Sequence, residues 1–184
     1  MKILVLNPPS PSAKNYIRDL IYGCWCKGKR IGGAKSPPLS LMYIATVLKN
    51  EGHQVKLLDA LAEQNSVEEV KRYAQIADIL IESTSQMSFC EDVEVLTELK
   101  KVNPKLKTII FGSQPNFHPE ESLDQESVDI IVKGEPEFAI KELVNLMEKK
   151  DEGWKKVKGI GFRENGEKVI NPNYNFVDMN DLPI

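Results

Sequence analysis

Five short apolar runs, separated by segments with helical periodicity, constrain the fold of this 184-residue chain more than any other feature. Each run is rich in Ile, Val or Leu and almost continuous, which is typical of strands covered on both faces of a parallel sheet. The predicted strands are Ile3–Leu6, Val55–Leu58, Ile79–Ile81, Thr108–Phe111 and Val128–Val132. Their alternation with helices predicts an α/β fold, a five-stranded, doubly wound parallel sheet with helices on both faces.

Local signals indicate where the helices begin. Predicted helices start near Leu39, Ser66, Ser88 and Pro136. The first ends near Asn50, ahead of a glycine, and the two serines each begin a capping-box pattern with a glutamate three residues later. Cys90 lies at the start of one of these helices, and we expect it to be buried as a small apolar residue.

The pattern changes after residue 150. Two short strand-like segments flank Asn165-Gly166, which is a strong signal for a β-hairpin. We therefore divide the chain into an α/β domain over residues 1–150 and a β-hairpin appendage with a linker over residues 151–184. The connection from Asn7 to Pro38 has no helical period, and a loop of that length in a compact domain is usually functional or disordered.

Composition excludes several classes of protein. The net charge is -3 and the pI is near 5.6, so no basic surface for nucleic acid is expected. No apolar run approaches the roughly 18 residues of a membrane helix, and the first run is too short for a signal peptide. A cytoplasmic location without membrane contact is therefore expected. Three cysteines argue against a disulfide framework, and the Cys24–Cys26 spacing does not suit zinc.

Ligands of open α/β sheets bind beyond the carboxyl ends of the strands, which directs attention to four loops. These loops are rich in neutral hydrogen-bonding groups, suited to a ligand with amides, hydroxyls and phosphate. The candidate binding residues are Asn7, Pro8, Pro9, Ser83, Thr84, Ser85, Gln86, Met87, Gly112, Ser113, Gln114, Pro115, Gly134 and Glu135. The alternative is that the serines and asparagines only cap the helices that follow.

Several uses of this fold lack their motifs. There is no G-x-G-x-x-G after a strand and no Walker A sequence, so dinucleotide and nucleoside triphosphate sites are not expected. Asn7 and Glu82-Ser83 stand where a phosphorelay receiver would have its acids. Neither His53 nor His118 belongs to a recognisable catalytic arrangement, and an enzyme using His118 and Glu135 has little support. We predict no catalytic residue and no metal ligand in this chain.

Six segments, taken in order, resemble one family over nearly the whole chain. They are Lys2–Pro9, Pro37–Ala45, Glu51–Val55 with Asp59, Phe111–Pro115, Val128–Glu135, and Gly159–Arg163 with Asp178–Pro183. Together they resemble the N-terminal cobalamin (B12)-binding domain of B12-dependent radical SAM enzymes. That resemblance implies a Rossmann-like or flavodoxin-like B12-binding fold, with cobalamin as the cofactor.

The resemblance carries further implications. S-adenosylmethionine and a [4Fe–4S] cluster would belong to a C-terminal radical SAM domain, whose C-x-x-x-C-x-x-C motif is absent from these 184 residues. The full enzyme would be a methyltransferase or a cyclase. The nucleotide tail of cobalamin would enter between the Ser83–Ser88 and Gly112–Asn116 loops, with the loop around Tyr22–Cys26 beside the corrin or ordered only by the missing domain.

Two departures from the wider family shape these expectations. Asn7-Pro8-Pro9 replaces the D-x-H-x-x-G motif of methionine-synthase-like domains, so we predict base-off cobalamin without a protein histidine on cobalt. Ser113 and Pro136 replace glycines of the family pattern. An alternative therefore stays open, a flavodoxin-like regulatory or interaction domain that binds no cofactor.

Overall fold

The computed structural model describes residues 1–10, 13–14, 28–29, 37–173, 178, 180 and 182. The strands are β1 (Lys2–Asn7), β2 (Ala13–Lys14), β3 (Gly28–Lys29), β4 (Gln54–Asp59), β5 (Ile79–Thr84), β6 (Lys107–Gly112), β7 (Ile130–Val132), β8 (Ile160–Glu164) and β9 (Glu167–Ile170). The helices are α1 (Leu39–Asn50), α2 (Ala60–Glu63), α3 (Val67–Ala74), α4 (Phe89–Val102), α5 (Ser113–Phe117), α6 (Pro119–Leu123) and α7 (Pro136–Glu148), followed by a 3-10 turn at Glu152–Lys156. The hypotheses on Tyr22–Cys26 lie outside the described residues.

One seven-stranded sheet organises the chain, in the order β4-β1-β5-β6-β7-β8-β9. The first five strands of that order pair in parallel, which confirms the predicted doubly wound sheet. The predicted hairpin is also confirmed, and β8 pairs antiparallel with β7, so it extends the same sheet. β2 and β3 form a separate two-residue parallel pair.

Alternate residues of the strands point into two separate cores. Val5, Ile81 and Ile109 pack on one face beneath α1 and α7. Leu6, Leu80 and Ile110 pack on the other face with residues of α3 and α4. Because both faces are covered, the strands read as nearly continuous apolar runs. Among the described residues, no helix is both long and apolar enough to span a membrane.

The helix starts confirm one predicted cap and overturn another. Ser66 forms the capping box, accepting a hydrogen bond from the Glu69 N–H while the Glu69 carboxylate accepts one from the Ser66 N–H. Ser88 makes no side-chain cap, so the predicted box with Glu91 is wrong. The burial predicted for Cys90 is also wrong, because its side chain faces solvent on α4.

The β8–β9 turn follows from its two residues. Asn165 and Gly166 have φ angles of 51° and 85°, the left-handed conformation that a two-residue hairpin turn needs and that Asn and Gly adopt at little cost. Arg163, just before the turn, donates hydrogen bonds to the carbonyl oxygens of Leu123, Gln125 and Val128. These bonds tie the hairpin to the segment that leads from α6 into β7.

Candidate functional site

The carboxyl ends of β1, β5, β6 and β7 lie side by side at one edge of the sheet. The strand register pairs Leu6 with Glu82 in β1–β5, Thr84 with Gly112 in β5–β6, and Phe111 with Val132 in β6–β7. The four predicted loops therefore leave the sheet next to one another. This edge includes the point between β1 and β5 where the chain reverses direction across the sheet, the usual ligand position in such folds.

Asn7 occupies the end of β1 with one polar atom left over. Its Nδ2 donates to Asp59 Oδ1 at 2.7 Å, and the same carboxylate oxygen accepts the Ala62 N–H at 3.0 Å and so caps α2. The Asn7 Oδ1 is buried and accepts no hydrogen bond within the part of the chain that the structure describes. A buried amide oxygen without a donor costs free energy, and a bound donor group would remove that cost.

The backbone of β5 leaves no space for a side chain at Gly112, the last residue of β6. Its φ is +117°, which is strained for residues other than glycine, and a Cβ at this position would lie 2.1 Å from the Thr84 carbonyl oxygen. No side chain fits there. The fit between the backbones of β5 and β6 at this edge therefore requires glycine at position 112.

A buried carboxylate organises the loop between β5 and α4. Asp92 Oδ2 accepts hydrogen bonds from the Thr84 and Ser88 hydroxyls, both at 2.7 Å. The Ser85 and Ser88 hydroxyl oxygens lie 2.9 Å apart, and their backbone N–H groups each donate to the other serine's hydroxyl oxygen. Since Asp92 lies in the first turn of α4, the helix dipole favours its negative charge.

Hydrogen bonds join three of the predicted loops directly. The Gln86 N–H donates to Ser113 Oγ at 3.3 Å, which links the loops after β5 and β6. The Gly134 N–H donates to Asn116 Oδ1 at 2.7 Å, which links the loops after β6 and β7. These three loops therefore form one connected surface rather than three separate helix caps.

The predicted residues divide by exposure. Gln86, Met87, Gly134 and Glu135 are exposed, whereas Ser85, Gly112 and Ser113 are half-buried. The buried members are Asn7, Pro8, Pro9, Ser83, Thr84, Gln114 and Pro115. A ligand on this edge would therefore meet the first two groups, while most of the buried residues shape the edge from below. Their role as ligand contacts stays a prediction.

The start of α7 carries a carboxyl group in an unfavourable environment. Burial raises the pKa of Glu137 above its ordinary value; a hydrogen bond from its own backbone N–H opposes this, and the charge of Glu135 adds to it. Keeping an ionised carboxylate there costs stability, which is a common property of residues in functional sites.

A cleft of about 350 Å³ opens beside the end of β1. Pro9 and Ser10 form one wall, and the start of α3 and the acidic face of α4 form the others. The Ser10 hydroxyl closes part of this cleft by donating to Glu91 Oε2 at 2.6 Å. The cleft borders the predicted site on the side of α3 and α4.

Sequence reasoning missed two residues that organise this edge. Asp92 escaped notice because the serine and glutamate spacing suggested a capping box, although the carboxylate that accepts the Ser88 hydroxyl is one residue further along the helix. Asn116 was seen only as part of a polar loop. A signal was available in the four hydroxyl residues between Ser83 and Ser88, since clustered hydroxyls next to a helix start call for a nearby acceptor.

The doubly wound sheet, with connected polar loops at its carboxyl edge, has the architecture of α/β domains that bind ligands at this edge. The B12 binding domain family matches residues 32–144, more than half of the chain, and the chain belongs to that family. This confirms the resemblance found in the sequence. The matched segment contains the loops after β5, β6 and β7.

Curated relatives extend the comparison over the whole chain. An uncharacterized methyltransferase of Pyrococcus horikoshii is 30% identical over 100% of this chain and 38% of its own length. The anaerobic magnesium-protoporphyrin IX monomethyl ester cyclase of Synechocystis is 31% identical over 92% of this chain and 32% of its own length. The chain thus spans about a third of the length of these relatives.

Solved structures show the same fold. The radical S-adenosylmethionine methyltransferase TsrM of Kitasatospora setae, with cobalamin and a [4Fe–4S] cluster bound, has a TM-score of 0.68 and 14% identity over 99% of this chain and 30% of TsrM. The cobalamin-dependent radical enzyme OxsB, with aqua-cobalamin and S-adenosylmethionine bound, has a TM-score of 0.66 and 21% identity over 95% of this chain and 22% of OxsB.

Proposed function

We propose that this chain binds cobalamin at the carboxyl edge of its sheet and serves as the cofactor-binding part of a B12-dependent radical SAM enzyme. The observation that carries the proposal is the coincidence of two results. The family match includes the loops after β5, β6 and β7, and hydrogen bonds join those loops into one surface.

The residues present suit this cofactor. Cobalamin is large and mostly neutral, with many side-chain amides, and the edge offers neutral polar groups from the loops after β5, β6 and β7. Asn7 Oδ1 is a buried acceptor that lacks a donor among the described residues. When bound, cobalamin supplies a redox-active cobalt centre for group transfer, while the protein holds and orients it. We expect the exposed residues Gln86 and Gly134, with the half-buried Ser113 between their loops, to hold it.

We further propose that cobalt receives no histidine from this chain. The sequence contains two histidines. His53 is buried at the amino edge of the sheet, where its Nε2 lies 3.0 Å from Asn145 Oδ1, so it faces away from the predicted site. His118 follows α5 and lies beside Glu121, with 3.7 Å between Nδ1 and Oε2. Neither follows β1, where the histidine of methionine-synthase-like domains stands.

Electron paramagnetic resonance of the bound cobalt(II) form tests this point. A base-off spectrum without nitrogen splitting is expected, in the wild type and in His118→Ala alike. Strong axial nitrogen splitting that His118→Ala abolishes would overturn it.

A radical SAM domain is the partner that we propose, with S-adenosylmethionine and a [4Fe–4S] cluster on that domain. The relatives are about three times longer than this chain. Large apolar side chains are also exposed at the carboxyl edge, among them Leu39 (57%), Met87 (62%) and Phe117 (72%). Exposed apolar groups around a polar site are typical of a surface that another domain covers.

An antibody against this chain can test the partnership in native cell extracts. The expected result is a band well above 20.8 kDa, or a 20.8 kDa band that copurifies with an iron–sulfur protein. A 20.8 kDa protein without such a companion would contradict the proposal. The reaction of the complete enzyme, methyl transfer or cyclisation, follows the activities named for the relatives.

Cobalamin binding itself has a direct test. The purified chain is mixed with hydroxocobalamin, desalted and examined by visible absorption. Retention of about one corrin per chain is expected. Gly112→Ala, with its folding checked by circular dichroism, should reduce it because the added carbon displaces the Thr84 carbonyl at this edge, whereas Gly52→Ala at the opposite edge should not. Failure of the wild type to retain corrin would favour the flavodoxin-like domain without cofactor.

A further inference from the structure

We infer that Asp92 sets the hydrogen-bond polarity of the loop between β5 and α4, so that this loop accepts hydrogen bonds from donor groups of the ligand. The inference rests on the proposed cobalamin binding and narrows it to a specific chemistry. The relevant donors on cobalamin are the N–H groups of the corrin carboxamides and the hydroxyl of the nucleotide ribose.

The direction of each hydroxyl proton follows from Asp92. A carboxylate only accepts hydrogen bonds, so Thr84 and Ser88 must each direct their single hydroxyl proton at its Oδ2, 2.7 Å away. The Ser88 proton is thereby used. In the 2.9 Å contact between the two serines, Ser85 must then be the donor. The chain of protons runs from Ser85 to Ser88 to Asp92, and all of it points inward.

Three backbone donors of the loop are also engaged within the protein. The N–H groups of Ser85 and Ser88 donate to each other's hydroxyl oxygens, and the N–H of Gln86 donates to Ser113 Oγ. Three backbone donors and three hydroxyl donors are therefore satisfied inside the protein. These six donors are therefore not available to a phosphate.

The hydroxyl oxygen of Ser85 can still accept a hydrogen bond from a ligand at the carboxyl edge. Ser85 Oγ donates to Ser88 and accepts one N–H, so one of its two lone pairs has no donor among the residues that the structure describes, and Ser85 is half-buried at the edge. The carbonyl and hydroxyl oxygens of such a loop suit primary amides and sugar hydroxyls. Asp92 never reaches the ligand; it is a positioning residue that acts through Ser88 and Ser85.

Asp92→Asn tests the inference because an amide both donates and accepts, and so permits the proton chain to reverse. The matched control is Asp129→Asn, which also changes a half-buried carboxylate that accepts hydrogen bonds but lies at the amino edge, where the Thr108 N–H donates to it at 2.8 Å. Folding of both variants is checked by circular dichroism. Affinities for hydroxocobalamin and for cobinamide, which lacks ribose and phosphate, are measured by absorbance titration.

Each outcome is informative. We expect Asp92→Asn to bind hydroxocobalamin about threefold to tenfold more weakly, the effect of one lost hydrogen bond, and Asp129→Asn to bind it as the wild type does. The same loss with cobinamide would identify carboxamides as the donors; a loss with cobalamin alone would identify the ribose. Unchanged affinity in Asp92→Asn would overturn this inference and leave the proposed function intact. Tighter binding would also overturn it, since freed donors would then be serving the phosphate.

Serine variants keep the test decisive if Asp92→Asn does not fold. Ser85→Ala removes the outer acceptor and should weaken binding about threefold to tenfold, whereas Ser85→Thr keeps a hydroxyl and should retain the affinity. Equal affinity of both variants would overturn the inference. A wild type that binds neither corrin would overturn the proposed function and this inference together.

Discussion

Gly112 and Thr84 approach each other so closely that one added carbon at Gly112 would lie 2.1 Å from the Thr84 carbonyl oxygen. Flexible side chains can move aside, but a backbone carbonyl held in the β5–β6 ladder cannot. Position 112 therefore requires glycine at the edge that we propose for cofactor binding.

Gly112→Ala should lower the free energy of unfolding by roughly 3 kcal/mol, since the change adds both overpacking and a strained φ. Gly52→Ala is the matched control, because Gly52 also has a positive φ of +90° but no heavy atom within 4 Å of its Cβ position. Gly52→Ala should lower the free energy of unfolding by only about 1 kcal/mol. Urea unfolding measures both, and equal losses would contradict the role of the close contact.

Glu137→Gln should stabilise the domain at neutral pH. Burial holds the pKa of Glu137 above its ordinary value of 4.5, so folding disfavours the ionised form. The loss of stability from ionised Glu137 is therefore absent at pH values below its ordinary pKa and complete at pH values above its raised pKa in the folded state. The free energy of unfolding of Glu137→Gln should therefore exceed that of the wild type by less than about 1 kcal/mol at pH 7, because solvent screens the site. At pH 4 the two should be equal.

Chemical unfolding at both pH values checks this difference. Glu142→Gln, on the exposed side of the same helix, should leave the stability unchanged at either pH. A loss of stability in Glu137→Gln at pH 7 would show that the carboxylate is favourable in the folded state.

Asp129→Asn should lower the stability of the domain and make that stability less dependent on pH in the acid range. Burial alone would raise the pKa of Asp129, but hydrogen bonds from Lys100 and the Thr108 N–H, with the charges of Lys100 and Lys107, outweigh it and lower the pKa. Asp129 therefore contributes stability above its ordinary value of 3.8, which is lost as the pH falls through the lowered folded pKa.

Urea titrations between pH 7 and pH 3 test the effect of Asp129. The free energy of unfolding of Asp129→Asn should be roughly 1–3 kcal/mol lower than that of the wild type at pH 7. It should also fall less steeply as the pH is lowered. Lys100→Met should flatten the same decline, because it removes the partner that lies 2.6 Å from Asp129 Oδ2. A wild-type slope in both variants would show that this pair does not govern the acid response.

Arg163→Lys should loosen the hairpin. The guanidinium satisfies three backbone carbonyls at once, and a lysine ammonium cannot reproduce that planar arrangement. We expect a loss of about 1–2 kcal/mol and faster amide hydrogen exchange in β8 and β9. Lys158→Ala, an exposed change nearby, should alter neither. Unchanged exchange in Arg163→Lys would mean that strand pairing alone holds the hairpin.

Periodic features of the sequence predicted the parts of the fold that repeat. Buried strands such as β1 and β5 were visible as continuous apolar runs, and α1 begins and ends at the predicted residues. Short elements were missed because α2, α5 and α6 span only four or five residues. Too few turns exist in them for a helical period to develop.

The sequence predicted where the candidate site lies, but not the hydrogen bonds that connect its residues. Strand ends predicted which loops would be neighbours, and the hydrogen bonds of Gln86 and Gly134 join three of those loops. Which way a hydroxyl points depends on the acceptor that the fold brings to it. Asp92 reaches Thr84 only because α4 folds back over β5, and no local spacing in the sequence contains that information.

The β8–β9 hairpin also bears on solubility. Without it, β7 would be the open edge of the sheet, and a three-residue apolar strand with unpaired backbone groups invites pairing with another molecule. The hairpin moves that edge outward to β9, where Glu167 and Lys168 face solvent. On the opposite edge, β4 exposes Lys56. Both lateral borders of the sheet thus carry exposed charged side chains, which disfavour pairing of these edges with another molecule.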